Sequence, residues 1–188
     1  MNGARIDAVS PLVHGDEIRV GPARFVVNAA SAGQLTVTAH SDSQAARHIL
    51  QRAAEASPTI VRMLAELEST DLMVGIETAR LARFLNGEVR VVAATPSVRH
   101  LRVRLSVPNG EDELVTVLGH ELRHALEIAD MPDVRDATSL AQAYQRIGTK
   151  TIGDGYYETE TALEAGRLVA RELGAHRRLR ADSAAALK

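Results

Sequence analysis

Residues 114–130, LVTVLGHELRHALEIAD, constrain the fold most. Leu114, Leu118, Leu122, Ala125, Leu126 and Ala129 recur at the spacing that gathers side chains on one arc of a helix. Glu113, Thr116, His120, His124 and Glu127 share the opposite face. A helix this apolar on one side must bury that side, and the polar face then decides what the domain does. The pattern runs from about Asp112 to Asp130 and stops before Pro132, whose ring disfavours helix in the preceding residue.

The partner surface is legible upstream. Residues 72–78, 88–95 and 100–107 read as strands, with breaks at Asn86-Gly87 and Pro96-Ser97. In the last of them Leu101, Val103, Leu105 and Val107 alternate with Arg102 and Arg104, the signature of a sheet buried on one face. Two helices precede these strands. The first follows the capping-box spacing of Ser41 and Gln44 and runs to about Ala56. The second starts at Ser57-Pro58 and turns Ile60, Met63, Leu64 and Leu67 inward. Near the start, EIRVGPARFVV reads as two strands about Gly21-Pro22, and QLTVTAH as a third. Two further helices are expected downstream. One spans 136–147, with Leu140, Ala143, Tyr144 and Ile147 at core spacing; the other spans 157–173 beyond the glycine-broken TKTIGDGYYE. The sum is an α+β chain: a β-rich segment 1–40, a main domain 41–176 and a flexible tail 177–188.

Composition narrows the chemistry. The chain has 188 residues, enough for a real core, and no cysteine, so disulfides and thiolate-bound metals are excluded. Any metal must use His, Asp or Glu. Net charge is −2 with both signs mixed along the chain, so neither nucleic acid nor a membrane surface is an expected partner. MNGARIDAVSPLVHGDEIRV lacks the apolar core of a signal peptide. A cytoplasmic location is therefore expected, or export if a leader has been removed.

His120 and His124 stand one turn apart and can present two imidazoles to one ion. Glu121 lies about 100° round the helix, beside the ion, where a carboxylate can take a proton from water. This is the His-Glu-x-x-His signature of zinc peptidases. If the histidine face looked onto open water, an ordinary amphipathic helix would explain it as well. A catalytic zinc needs a third protein ligand. On a helix from Tyr157, Glu158 shares a stripe with Ala162, Ala165, Val169 and Leu173, while Glu160 and Glu164 fall with Arg167 and Arg171 on a solvated face. Glu158 is therefore the expected ligand, with Asp154 in GDGYY as the alternative. Glu127 lies too far along the axis to join the ligands and is expected to hydrogen-bond His124.

Strands followed by a helix carrying HELRH, then helices and a downstream glutamate, resemble the zincin metallopeptidases, and in particular the gluzincins, whose third ligand is a helical glutamate. The segments GHELRHALE, YQRIG and YYETE are also similar to those of a group of small bacterial proteins. The gluzincin Asn-Glu-x-x-Ser-Asp pattern is absent. The resemblance implies a small mixed sheet packed on an active-site helix with further C-terminal helices. It implies one zinc per chain on His120, His124 and Glu158, with Glu121 as general base and a peptide or protein substrate. Tyr156 or Tyr157, close to Glu158, would supply a second oxyanion donor. Substrate would add as a strand to the edge formed by residues 88–95, where Ala93 and Ala94 leave room. The expected activity is that of a zinc metalloendopeptidase. The alternative is a zincin-like binding or regulatory domain without turnover, against which an intact Glu121 counts.

Overall fold

The structure is a computed structural model. It describes residues 17–20, 23–26, 44–107, 109–151 and 156–186. The chain divides into two units, 1–36 and 37–188, each described by itself. In the first, β1 (Glu17–Val20) and β2 (Ala23–Val26) pair antiparallel, Glu17 opposite Val26 and Val20 opposite Ala23. These are the two strands read on either side of Gly21-Pro22. The third, at 34–40, and the cap at Ser41 lie outside the described residues.

The second unit is the α+β domain. Helix α1 (Gln44–Ala56) buries Ala46, Ile49, Ala53 and Ala56. Helix α2 (Pro58–Leu67) starts as its sequence dictates: Pro58 occupies the first turn, and the Ser57 hydroxyl accepts from the Ile60 amide at 3.2 Å. Three strands follow, β3 (Leu72–Ala79), β4 (Gly87–Ala94) and β5 (Arg99–Ser106), in the order β3-β5-β4. β3 runs parallel to β5 and β4 antiparallel to it, so the sheet is mixed. Leu72, Val74, Ile76, Leu101, Val103 and Leu105 form its buried face. On the other face Arg104 bridges Glu77 at 3.1 Å and Glu88 at 2.6 Å, which keeps that face polar. The last strand ends at Ser106, and Val107, expected inside, is 46% exposed.

Helix α3 (Glu111–Ala129) carries three acids in its first turn, where they oppose the positive end of the helix dipole. Val115, Leu118, Leu122, Ala125 and Ile128 are fully buried and join the core. Helix α4 (Ala137–Ile147) begins at a capping box of Asp136 and Ser139. It buries Ala143 and Tyr144, but Ile147, expected inside, is 49% exposed at its last turn. A ribbon of β6 (Thr149–Lys150) and β7 (Tyr157–Glu158) comes next.

Helix α5 (Glu160–Ala186) corrects two expectations. It begins after Glu158, because Thr159 caps it by accepting from the Ala162 amide at 3.2 Å. It also runs on through the expected tail, whose RRLRADSAAA is rich in strong helix formers. α5 lies close along α3: a Cβ on Gly119 would stand 2.5 Å from Val169 Cγ2, so only glycine permits this approach. Among the described residues no helix is long and apolar enough to cross a membrane.

Candidate metal centre

The histidine end of the polar face of α3 does not look onto open water: His124 and Glu127 are buried and His120 is partly buried, whereas Glu113 at the start of the helix is exposed. His124 lines a cleft of about 560 Å³. Glu121, His124 and Ile128 of α3 form its floor, Gly87–Arg90 of β4 one wall, and Ala137, Leu140, Ala141 and Tyr144 of α4 another. Tyr156, Tyr157 and Glu158 close one side, and Phe84 and Leu85, from the β3–β4 connection, the other lining. β4 is the edge of its sheet, with side chains more exposed than those of β3 and β5.

His120, His124 and Glu158 converge. Glu158 Oε2 lies 2.8 Å from His120 Nε2 and 3.6 Å from His124 Nε2, and the two Nε2 atoms are 3.1 Å apart. One ligand atom from each of the three lies within 4.8 Å of the others, so the group could hold a metal ion. Glu158 Oε2 is buried yet meets no partner in hydrogen-bond geometry, despite its distance to His120. Two imidazole nitrogens and a carboxylate oxygen thus crowd together, with the carboxylate oxygen left unsatisfied by either ring. That is how donors sit around a cation.

Glu158 is the residue the sequence singled out, on a different element. It reaches the histidines from β7, two residues before α5, and not from the apolar stripe of a helix. The gluzincin pattern of a helical third ligand is not reproduced. Asp154 lies outside the described residues. Glu160 and Glu164 pair with Arg167 at 2.8 and 3.4 Å, and Glu164 with Arg171 at 2.9 Å, on the solvated face expected of them.

Glu121 is fully enclosed beneath the start of β4. A Cβ on Gly87 would stand 2.5 Å from its Oε1. Burial pushes its carboxyl up to about 7, against the pull of His124 and His120. Burial also disfavours a charged His124, but Glu127 and Glu158 outweigh it and hold the imidazole up at about 9. Burial would raise Glu158 as well, and the two imidazoles hold it instead at about 2.

Glu127 hydrogen-bonds His124 as expected, with Oε2 2.9 Å from Nδ1. Three partners were not read from the sequence. The Tyr144 hydroxyl donates to Glu127 Oε2 at 3.0 Å, and the hydroxyls of Thr159, at 2.6 Å, and Thr161 donate to Oε1. His124, with Thr159 and Thr161, holds the Glu127 carboxyl down at about 2 against its burial. Burial and the neighbouring Glu127 carboxylate push the Tyr144 hydroxyl well above its ordinary range. Helical spacing marked Tyr144 as core, which it is. Its polar partner comes from α3, and nothing local announces it.

Tyr156 and Tyr157 both line the cleft, and the Tyr156 ring meets Phe84 edge-on, with centroids 5.4 Å apart. Ala93 and Ala94 do not line it. They pair with His100 and Arg99 beyond an irregularity at Val91–Ala93, whereas the end of β4 near Glu121 is its start. Comparison with protein-family models, with curated proteins and with solved structures gives no match for this chain.

Proposed function

We propose that the chain is a zinc-dependent peptide hydrolase. The observation that carries this reading is the convergence of His120, His124 and Glu158 beside a buried Glu121, in a cleft that runs along an open sheet edge. A zinc ion held by the three would supply Lewis acidity, lowering the pKa of water to about 7 and polarising a peptide carbonyl.

The remaining work falls to the chain's own groups. Glu121 accepts the proton of the attacking water and passes it to the leaving amine. Gly87 lets the edge strand approach this carboxylate and confine it. Substrate binds as an added strand on β4. The Ser106 amide donates to the Asn86 carbonyl at 2.8 Å. By the alternation of an antiparallel ladder, Glu88 and Arg90 then bond to β5, and Gly87 and Val89 turn their backbone groups to the open edge. These are edge residues that also line the cleft. Tyr156 and Tyr157 are the candidate oxyanion donors by their place on its wall.

Glu121→Gln tests the reading. The amide keeps the shape of the carboxylate and cannot take the proton. Zinc content and the circular dichroism spectrum should stay as in the parent, while cleavage of a denatured-protein and peptide panel falls by at least about 100-fold. A variant as active as the parent would refute the mechanism. A zinc-loaded parent inactive on every peptide would favour a binding domain without turnover.

A further inference from the structure

Glu127 does more than its contact with His124 requires. It is a buried carboxylate on α3, and such a group is costly unless both oxygens are satisfied. Its two oxygens serve two different ligands. Oε2 faces His124 Nδ1 at 2.9 Å and accepts from Tyr144. In the neutral ring that binds a metal, the ionised oxygen facing Nδ1 keeps the proton on that nitrogen, which leaves the Nε2 lone pair for the ion. Oε1 accepts from Thr159 and Thr161. Thr159 directly follows Glu158 and is the cap of α5. Otherwise the ladder holding Glu158 is a two-residue ribbon, Thr149 opposite Glu158 and Lys150 opposite Tyr157.

We infer that Glu127 is a positioning residue for two of the three metal ligands at once: Oε2 sets the tautomer and ring plane of His124, and Oε1, through Thr159, sets the place of Glu158. This inference rests on the reading of the site as a metal centre. It also assigns Thr159 a role in metal binding that its place in the chain as a helix cap does not imply. In Glu127→Gln, an amide whose oxygen still accepts from the threonines turns its NH2 to His124 Nδ1. Nδ1 then accepts, and the proton moves to Nε2, where it blocks the lone pair. Thr159→Val keeps the size of the side chain and removes only the hydroxyl. Thr159→Ser keeps the hydroxyl.

The test is Zn2+ affinity, measured by competition with a chromophoric chelator on the full chain, together with thermal melting of the zinc-stripped proteins. Glu127→Gln should bind Zn2+ roughly 10–100-fold more weakly, and Thr159→Val roughly tenfold, the usual cost of losing a group that orients a ligand. Thr159→Ser should bind within about twofold of the parent. The double variant should be weaker than Glu127→Gln by less than the tenfold that independent effects would add, because both act through one carboxylate. Lower melting with Zn2+ affinity unchanged in both single variants would overturn the inference and leave a structural role only. So would a Thr159→Ser variant as weak as Thr159→Val. A parent that binds no Zn2+ would overturn the metal reading itself, a result distinct from either. Should Glu127→Gln fail to fold, Thr159→Val against Thr159→Ser decides alone.

Discussion

Removing Arg99 should cost more stability than any other single change to the sheet. Its side chain is fully buried, on the apolar side of β5. It makes a two-pronged pair with Asp71, at 2.7 and 2.6 Å, and donates to the carbonyls of Ile128 and Met131 at 2.8 Å, Val134 at 3.2 Å and Ala129 at 3.3 Å. The α3 helix ends at Ala129, and one guanidinium completes the hydrogen bonding of its last carbonyls and of the turn that follows, where Ile128 and Met131 also accept from backbone amides. Arg99→Leu would strand the Val134 and Ala129 carbonyls, while Ile128 and Met131 would keep the bonds they accept from the Met131 and Val134 amides, at 3.0 Å each. The bond to Val134 is buried and that to Ala129 partly so, and each stranded acceptor costs about 1–3 kcal/mol. Asp71 is 38% exposed and recovers water, so its half of the pair costs less. A total of about 3–5 kcal/mol follows, the range for breaking a buried ion pair and a large share of the roughly 5–15 kcal/mol that holds a domain together. All 3 tyrosines, Tyr144, Tyr156 and Tyr157, lie in the 37–188 unit and the chain has no tryptophan, so intrinsic fluorescence in urea reports that unit alone. With a slope near 2 kcal/mol per molar, the midpoint should fall by about 2 M. Arg99→Lys, which keeps the charge and loses the fork, should fall between. A loss under about 1 kcal/mol in Arg99→Leu would contradict this, because it would mean that the Ala129 and Val134 carbonyls find other partners.

Two further outcomes are expected. A Cβ on Gly87 would come within 2.5 Å of Glu121 Oε1 and 2.6 Å of Val117 Cγ1, so Gly87→Ala should displace Glu121, the proposed base. It should lower kcat/KM by about 100-fold with zinc content unchanged, read by peptide cleavage and metal analysis. The Arg99 guanidinium beside Asp71 holds that carboxyl below its ordinary 3.8. A depressed folded-state pKa stabilises fully above the unfolded value, about 3.9, and the contribution is lost as pH falls through the folded value. Urea midpoints of the parent and Asp71→Asn should therefore differ at pH 7 and converge below pH 4, and a constant gap would contradict this.

The parts of the fold legible in the sequence were those with a period. The arc of α3 and the alternation of β5 stand out because burial on one side imposes 3.6 and 2 on the residues. Arg99 obeys the same rule: it keeps phase with Leu101, Val103 and Leu105, one residue ahead of the apolar alternation that starts at Leu101. Glu158 was reached by a premise that fails. Its phase with Ala162 and Val169 assumed a helix from Tyr157, yet two tyrosines favour a strand and Thr159 is a cap. The carboxylate still meets the histidines because β7 delivers it just ahead of the helix that packs on α3. The roles of Tyr144, Thr159, Thr161 and Gly87 were out of reach for a different reason. Each depends on a partner brought close only by tertiary packing, such as Tyr144 and Thr159 on Glu127 of α3. Short polar residues in a lone sequence carry no sign of such a partner.

The most direct test of the account is the zinc content of the purified chain by inductively coupled plasma mass spectrometry, after dialysis against a weak chelator. The parent should carry close to one zinc per chain, with binding abolished when His120 and His124 are both replaced by alanine. Glu158→Ala should lose most of it, and Glu160→Ala and Glu164→Ala should keep it, since those glutamates pair with Arg167 and Arg171. A parent without bound metal, or a double histidine variant with undiminished zinc, would contradict the account.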